Sequence, residues 1–400
     1  MQWQMWTAFG IMLGYAADLA FFRVADVPGI VGLNWRLMLA SASLCAIVVC
    51  CGVWFCPESP RYLMGQSDKC RAAGDNEGAK EWLNKAWQSM KSLRSTELQA
   101  ARDMFLMVKL QEVENEAAKQ RKGPIVELFC TPRNRRAMIA SEICMFMQQF
   151  CGINIIAYYS SVIFLDAGFS EQSALLASLG FGILNFLFAL PAVFTIDKYG
   201  RRWLLLLCFP LMSVCLFFTG FSFLITDKAA HVGCIALGIY LFGIVYSPGE
   251  GPVPFTCSAE AYPLYIRTHG MSLATATTWF FNFVLSITWP ALLANIGSVG
   301  AFCYYAAWNL IGAAGVLFFV PETKGYSLEQ LDQVFSVSTR DMAGFGMAQA
   351  LYGFRYVSTF GRTTSLPPKF EDLMAVDEKQ GHTENVDGQV RGAAVGDVEQ

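Results

Sequence analysis

Charged side chains are scarce in this sequence. Asp, Glu, Lys and Arg make up 15% of its 400 residues, while 54% are hydrophobic. A soluble chain of this length carries about 25% charge, so a water-soluble globular domain is excluded. The net charge of −3 is too small to attract a nucleic acid. Histidine is scarcer still. His231, His269 and His382 are scattered, which leaves no Ser/His/Asp or metal-binding constellation and implies no covalent chemistry. Cysteine is plentiful, but no CxxC pair with zinc spacing occurs. Cys45, Cys50, Cys51, Cys208, Cys215, Cys234 and Cys303 lie in apolar runs, where cysteine acts as a small hydrophobe. Disulfides, metals and cofactors are therefore not expected. The start, MQWQMWTAFGIMLGYAADLAFF, has neither a basic head nor a cleavage site and reads as a span rather than a signal peptide.

What the chain does have is long apolar runs. A helix crosses the hydrocarbon layer in about 20 residues. Eight such spans are predicted, at 3–22, 33–56, 137–165, 173–196, 203–225, 231–256, 270–293 and 299–320. The expected fold is an all-α membrane protein. Lys and Arg set its orientation: Arg133, Arg135, Arg136, Arg201, Arg202 and Arg267 flank span ends on one side, whereas the other side holds only Arg23, Arg36 and Lys228. Positive loops stay in the cytoplasm, which places both termini and the 57–136 stretch there.

That polar stretch is predicted to form short amphipathic helices. Trp82, Leu83, Ala86, Trp87, Met90 and Leu93 recur at helical spacing, as do Leu98, Ala101, Phe105 and Val108. They suit a structural bracket or a partner-binding surface. The tail, 321–400, is polar and acidic, and disorder is expected beyond about 338.

One span is broken. YSPGEGPVPF puts Pro248, Pro252 and Pro254 around Glu250, which Gly249 and Gly251 flank. Proline lacks an N–H, so carbonyls one turn earlier lose their helical partners. Bare backbone in lipid costs several kcal/mol, so the break belongs beside a hydrated cavity. An acid at this depth is either functional or silently paired. Glu250 would accept substrate hydroxyls or take up a proton in the first case. Gln148, Gln149 and Asn154 add amides inside another apolar helix. Amides suit the paired demands of hydroxyls, and they also glue helices together. Tyr158 and Tyr159 lie toward the end of that helix, where tyrosine also anchors at the membrane interface.

Four charged motifs close the spans on the basic side. PESPR holds Glu58 and Arg61, DKYGRR holds Asp197, Arg201 and Arg202, SAEAYPLYIR holds Glu260 and Arg267, and PETKG holds Glu322. Acids and bases from different loops would pair when these ends close together. In this order, with QQFCGINIIAYYS at Gln148–Ser160 and GPVPF, the residues closely resemble the sugar-porter branch of the major facilitator superfamily. The resemblance covers about residues 1–335 and implies a major facilitator-type bundle. The eight spans match family spans five to twelve, as 1–56 (the last two helices of the N-terminal half), a 57–136 linker and 137–320 (the C-terminal half). Family spans one to four have no counterpart, nor does the acid that proton-coupled members carry on span one. The chain then reads as a truncated gene model or a natural fragment.

The resemblance also implies roles. Gln148, Gln149, Asn154, Asn185, Trp279 and Asn282 match residues that contact the sugar or line its cavity. Phe255 stands where the family has Trp. Tyr158 and Tyr159 match the outer gate, and the four charged motifs match the cytosolic gate. The implied function is a secondary transporter carrying a sugar or polyol, as a facilitator or a proton symporter, multi-pass in the plasma membrane bilayer. A sugar sensor and a non-functional fragment are the alternatives.

Overall fold

The computed structural model describes residues 2–28, 31–119, 123–326 and 328–358. Among these the regular structure is helical. In chain order the helices are α1 (Gln2–Phe21), α2 (Leu33–Val53), α3 (Pro60–Ala72), α4 (Asn76–Ser92), α5 (Glu97–Lys119) and α6 (Pro124–Cys130). They continue as α7 (Pro132–Phe150), α8 (Ile153–Asp166), α9 (Glu171–Ala189), α10 (Ala192–Tyr199), α11 (Arg201–Ser222) and α12 (Lys228–Tyr246). The last are α13 (Val253–Ala261), α14 (Leu264–Phe319), α15 (Leu328–Ser336) and α16 (Thr339–Ser358). Six stretches among the described residues are long and apolar enough to cross a membrane. The protein is an all-α membrane protein.

The chain divides into two compact units, residues 28–124 and residues 1–27 with 125–400. In the first, α3, α4 and α5 share a small core of Leu63, Met64, Ala86 and Met104, with Trp82, Trp87, Met107 and Val108 packed on it. Asp75 caps α4 by accepting from the Gly78 N–H at 2.9 Å, and Ser67 donates to Ala79 O at 2.8 Å. The face α5 buries matches the expected one only at Val108. Ala100 and Met104 are buried, whereas Leu98, Ala101 and Phe105 are exposed. Both stripes satisfy helical spacing, and the packing partner on α4 selects between them.

In the second unit three predicted spans, 137–165, 173–196 and 231–256, are interrupted rather than straight. α7 and α8 make one span broken at Gly152, whose φ of 101° is the left-handed conformation glycine tolerates. α14 covers two expected spans. Gly297 (φ 68°, ψ 174°) turns the chain back on itself. The Trp289 and Phe302 rings then lie 5.8 Å apart, although an uninterrupted helix would separate thirteen residues by about 20 Å.

The core is built from aromatic clusters and small-residue contacts. Phe146 stacks on Phe150 at 4.4 Å and meets Phe281 edge-on at 4.6 Å. Without a hydrophobic force between helices in lipid, close backbone approach and hydrogen bonds hold the bundle. Ser213 donates to Ala306 O at 2.8 Å, and Asn309 donates to Cys151 O at 2.9 Å. α1 joins this bundle against α9. A Cβ on Gly182 would meet Met12 Cα at 3.1 Å, and the Tyr15 hydroxyl donates to Ala157 O at 2.5 Å.

The expectation of disorder beyond 338 is corrected by α16. Residues 339–358 form a helix that buries Met342, and Phe345 lies against the Arg202 guanidinium, 5.3 Å from ring centroid to charge. Residues 359–400, the rest of that expectation, lie outside the described residues.

Candidate substrate site

The side chains of α1, α7, α8, α9, α12, α13 and α14 line an open cavity of about 210 Å³. α7 ends in Phe150, and its last turn aims Gln148 and Gln149 into this space; both are nearly buried. The turn at Gly152 brings Asn154 of α8 beside them. Gln149 is the hub. Its Oε1 accepts from Asn154 Nδ2 at 2.5 Å and from Asn282 Nδ2 at 3.0 Å, and its Nε2 donates to Gln148 Oε1. Gln148 Nε2 in turn donates to the Tyr246 hydroxyl at 3.3 Å. Asn185 lines the cavity from α9 and accepts from Ser247 Oγ at 2.8 Å. Amides thus form a connected network, and a network of this kind has spare donors and acceptors for hydroxyls.

Aromatic faces complete the wall. Phe255 on α13 stacks on Trp3 of α1 at 5.8 Å, with the rings 19° apart. Trp279 is 57% exposed and lines the same space. Two tyrosines tether α8 to α14: the Tyr158 hydroxyl accepts from Asn282 Nδ2 at 3.2 Å, and the Tyr159 hydroxyl donates to Ser286 O at 3.0 Å.

Glu250 is the exception among the expected cavity residues. It is fully buried and does not line the cavity. The break runs over residues 247–252 alone. Gly249 and Gly251 both donate to Tyr246 O at 3.2 Å, and this turn carries Glu250 behind the wall that Tyr246 presents. Pro254 is not part of the break, because it lies in the first turn of α13, where a helix needs no N–H.

Sequence reasoning missed the contribution of α1. Gln4, Thr7 and Ile11 line the cavity with Trp3, and Gln4 Nε2 reaches the Tyr246 hydroxyl at 3.5 Å. The signal was present as polar residues at helical spacing inside an apolar run. Thr278 and Tyr246 were missed as well.

Three of the four charged motifs, DKYGRR, SAEAYPLYIR and PETKG, meet at one end of the bundle. The Glu322 carboxylate caps α11, accepting from the N–H groups of Arg201 at 2.8 Å, Arg202 at 3.1 Å and Trp203 at 3.4 Å. Negative charge suits a helix N-terminus. Arg201 pairs with Glu260 at 2.8 Å and with Asp197 at 3.1 Å. Thr323 Oγ1 donates to the other Glu260 oxygen at 2.6 Å. Arg202 is buried and donates to Leu317 O at 2.7 Å. Arg267 clasps Tyr262 O through Nε at 3.2 Å and Nη2 at 3.1 Å. Arg133, not among the expected residues, bridges Ala261 O and Asp332, each at 2.8 Å. Glu58 and Arg61 belong to the 28–124 unit, where Glu58 Oε1 accepts from Ser59 N–H at 3.2 Å and Arg61 is exposed at the start of α3.

Comparisons with known proteins agree with this architecture. The chain is 30% identical over 345 residues to the myo-inositol transporter FST1 of Gibberella moniliformis, covering 84% of this chain and 56% of that protein. It is 33% identical to the putative metabolite transport protein YwtG of Bacillus subtilis, covering 86% and 68%, and 30% identical to the bovine facilitated glucose transporter member 3 of solute carrier family 2, covering 83% and 64%. It therefore spans 56–68% of the length of these relatives. The major facilitator superfamily proton:xylose symporter XylE, in complex with 6-bromo-6-deoxy-D-glucose, superimposes with a TM-score of 0.61 at 24% identity, covering 83% of this chain and 66% of that one, which shows a shared fold. The helices that wall the cavity and the loops that carry the charged cluster all fall within residues 1–335, the stretch that matches the Sugar (and other) transporter profile, and the chain belongs to that family.

Proposed function

We propose that this chain carries a sugar or polyol across a membrane by alternating access. The observation that carries this reading is the amide network of Gln148, Gln149, Asn154 and Asn282 on a cavity of about 210 Å³. Asn185 adds an amide from the facing helix. A cyclic polyol offers hydroxyls that both donate and accept around its rim and apolar C–H groups on its faces. The amides match the rim, and Trp3, Phe255 and Trp279 match the faces. The relatives named for myo-inositol and glucose transport support six-membered polyhydroxylated rings as the substrate class.

Access to the cavity alternates through two sets of contacts. At the basic end, Arg201, Glu260, Asp197, Arg202, Arg267 and Glu322 lock α11, α13 and the end of α14 together. They release when that end opens. At the other end, Tyr158 and Tyr159 hold α8 to α14 and act as the opposite gate. The basic loops keep their end in the cytoplasm, in the plasma membrane. Phe255 keeps the stacking face of the family tryptophan without its N–H, which shifts substrate preference away from ligands needing that donor.

The test is reconstitution of the protein in liposomes with labelled D-glucose, D-xylose and myo-inositol. Saturable uptake that unlabelled substrate competes away is expected. Saturable binding without uptake would identify a sensor instead, and absence of both would overturn the reading.

A further inference from the structure

The carboxyl of Glu250 is used by nothing described above. It is fully buried, and neither oxygen has a hydrogen-bond partner among the described residues. The 247–252 turn that carries it is wedged tightly. A Cβ on Gly249 would come within 2.2 Å of Cys208 Sγ, and one on Gly251 within 3.2 Å of Gln4 Cγ.

The titratable groups facing the carboxyl are Cys144 from α7, Cys151 just after its end, Cys208 from α11, Tyr246 from α12 and Cys257 from α13. None of them is a cation. Thiols and phenols are neutral near pH 7. A carboxylate here would stand unpaired in a low-dielectric interior, which is far costlier than the neutral acid. The described conformation therefore fits a protonated Glu250.

A cavity-lining side chain is among the groups that face this acid. Tyr246, four residues earlier, presents its hydroxyl to the cavity and to Gln148 and Gln4. The turn that would move Glu250 past Tyr246 is an irregular stretch of the bundle, held by the two bonds to Tyr246 O. Once wetted, an ordinary carboxyl is fully ionised at neutral pH, because it loses its proton near about pH 4.

We propose that Glu250 is a proton-binding site that couples proton movement to the substrate cavity. In the described conformation it holds the proton. When the 247–252 turn swings toward the cavity, the carboxyl O–H bond breaks, the proton passes to a cavity water, and the carboxylate is left solvated. Reprotonation reverses the step and allows the turn to re-bury. This inference rests on the carrier reading for its coupling and on burial alone for the proton.

Two measurements test it. Infrared spectroscopy of the purified protein at pH 7 needs no flux. A protonated-carboxyl stretch is expected, lost in Glu250→Gln and regained, shifted, in Glu250→Asp. No band, or a band unchanged in Glu250→Gln, overturns the proposal. In liposomes with an inward proton gradient, the wild type is expected to accumulate labelled D-glucose or myo-inositol. Glu250→Gln should keep exchange of internal for external label and lose accumulation at least tenfold. Accumulation equal to wild type overturns the coupling. Absence of any flux in both proteins overturns the carrier reading and the coupling with it, while the infrared band still decides whether Glu250 holds the proton.

Discussion

Replacing Gln149 with alanine removes the hub of the amide network. Its Oε1 accepts from two asparagines and its Nε2 donates to Gln148, so three hydrogen bonds are lost. A neutral hydrogen bond contributes about 0.5–1.5 kcal/mol net, so three bound the effect at about 1.5–4.5 kcal/mol. Gln149 borders a hydrated cavity, and water will replace part of what is lost, which favours the low end, about 2 kcal/mol. The loss falls on ligand binding, because Gln148, Asn154 and Asn282 must then be ordered by the substrate itself. At about 1.4 kcal/mol per tenfold, the expected rise in Kd is roughly 30-fold. Trp279 and Trp3 line the same cavity, so a tryptophan-fluorescence titration with D-glucose and myo-inositol reads it directly. A Kd within twofold of wild type, accompanied by a lowered Tm, would refute the reasoning and make the network a helix clamp.

Arg201→Ala together with Arg202→Ala removes the 2.8 Å pair to Glu260 and the bond to Leu317 O. These partly buried contacts are worth about 1–2 kcal/mol, so the balance of open forms should shift about tenfold, read as cysteine labelling of the cavity from each membrane side; unchanged labelling would dismiss the gate. Gly297→Ala should lower stability by about 1–3 kcal/mol through backbone strain, because φ is 68° while nothing lies within 4 Å of the added methyl; an unaltered Tm in detergent would contradict this. In the 28–124 unit, Lys91 holds the Glu97 carboxyl below its ordinary range, and Arg94, then Arg102, hold Asp103 below its own. Their contribution is present above the ordinary carboxylate range and is lost as pH falls through the lowered values. Hydrogen-exchange protection of α4 and α5 should drop only in that acidic window and weaken with salt at any pH, and a loss of protection near neutrality would count against it.

The apolar runs made the spans legible, since length and composition alone decide whether a helix suits hydrocarbon. The amides at Gln148, Gln149 and Asn154 were legible for the same reason: polarity is conspicuous in an apolar helix. Burial side was not. Whether Glu250 or Tyr246 faces the cavity depends on how the 247–252 turn closes, and alternating glycine and proline leave that open. The α16 helix was obscured by the tail's average composition, although Met342 and Phe345 have the spacing to pack on one face. Gln4 and Thr7 stood out in the same way, but that their face of α1 borders the cavity depends on how α1 packs against α9.

The packing of α1 has a consequence for biogenesis. Gln4 reaches Tyr246, a partner 242 residues further along the chain. At about 5–20 residues per second, ribosomal synthesis supplies that partner roughly 10–50 s after Gln4 emerges. During this interval Gln4 must wait without that partner or be sheltered by the insertion machinery or another segment, whereas Thr7 is already satisfied by Trp3 O in its own helix. Substitutions that make α1 more polar should therefore reduce yield from cells more than they destabilise the finished protein.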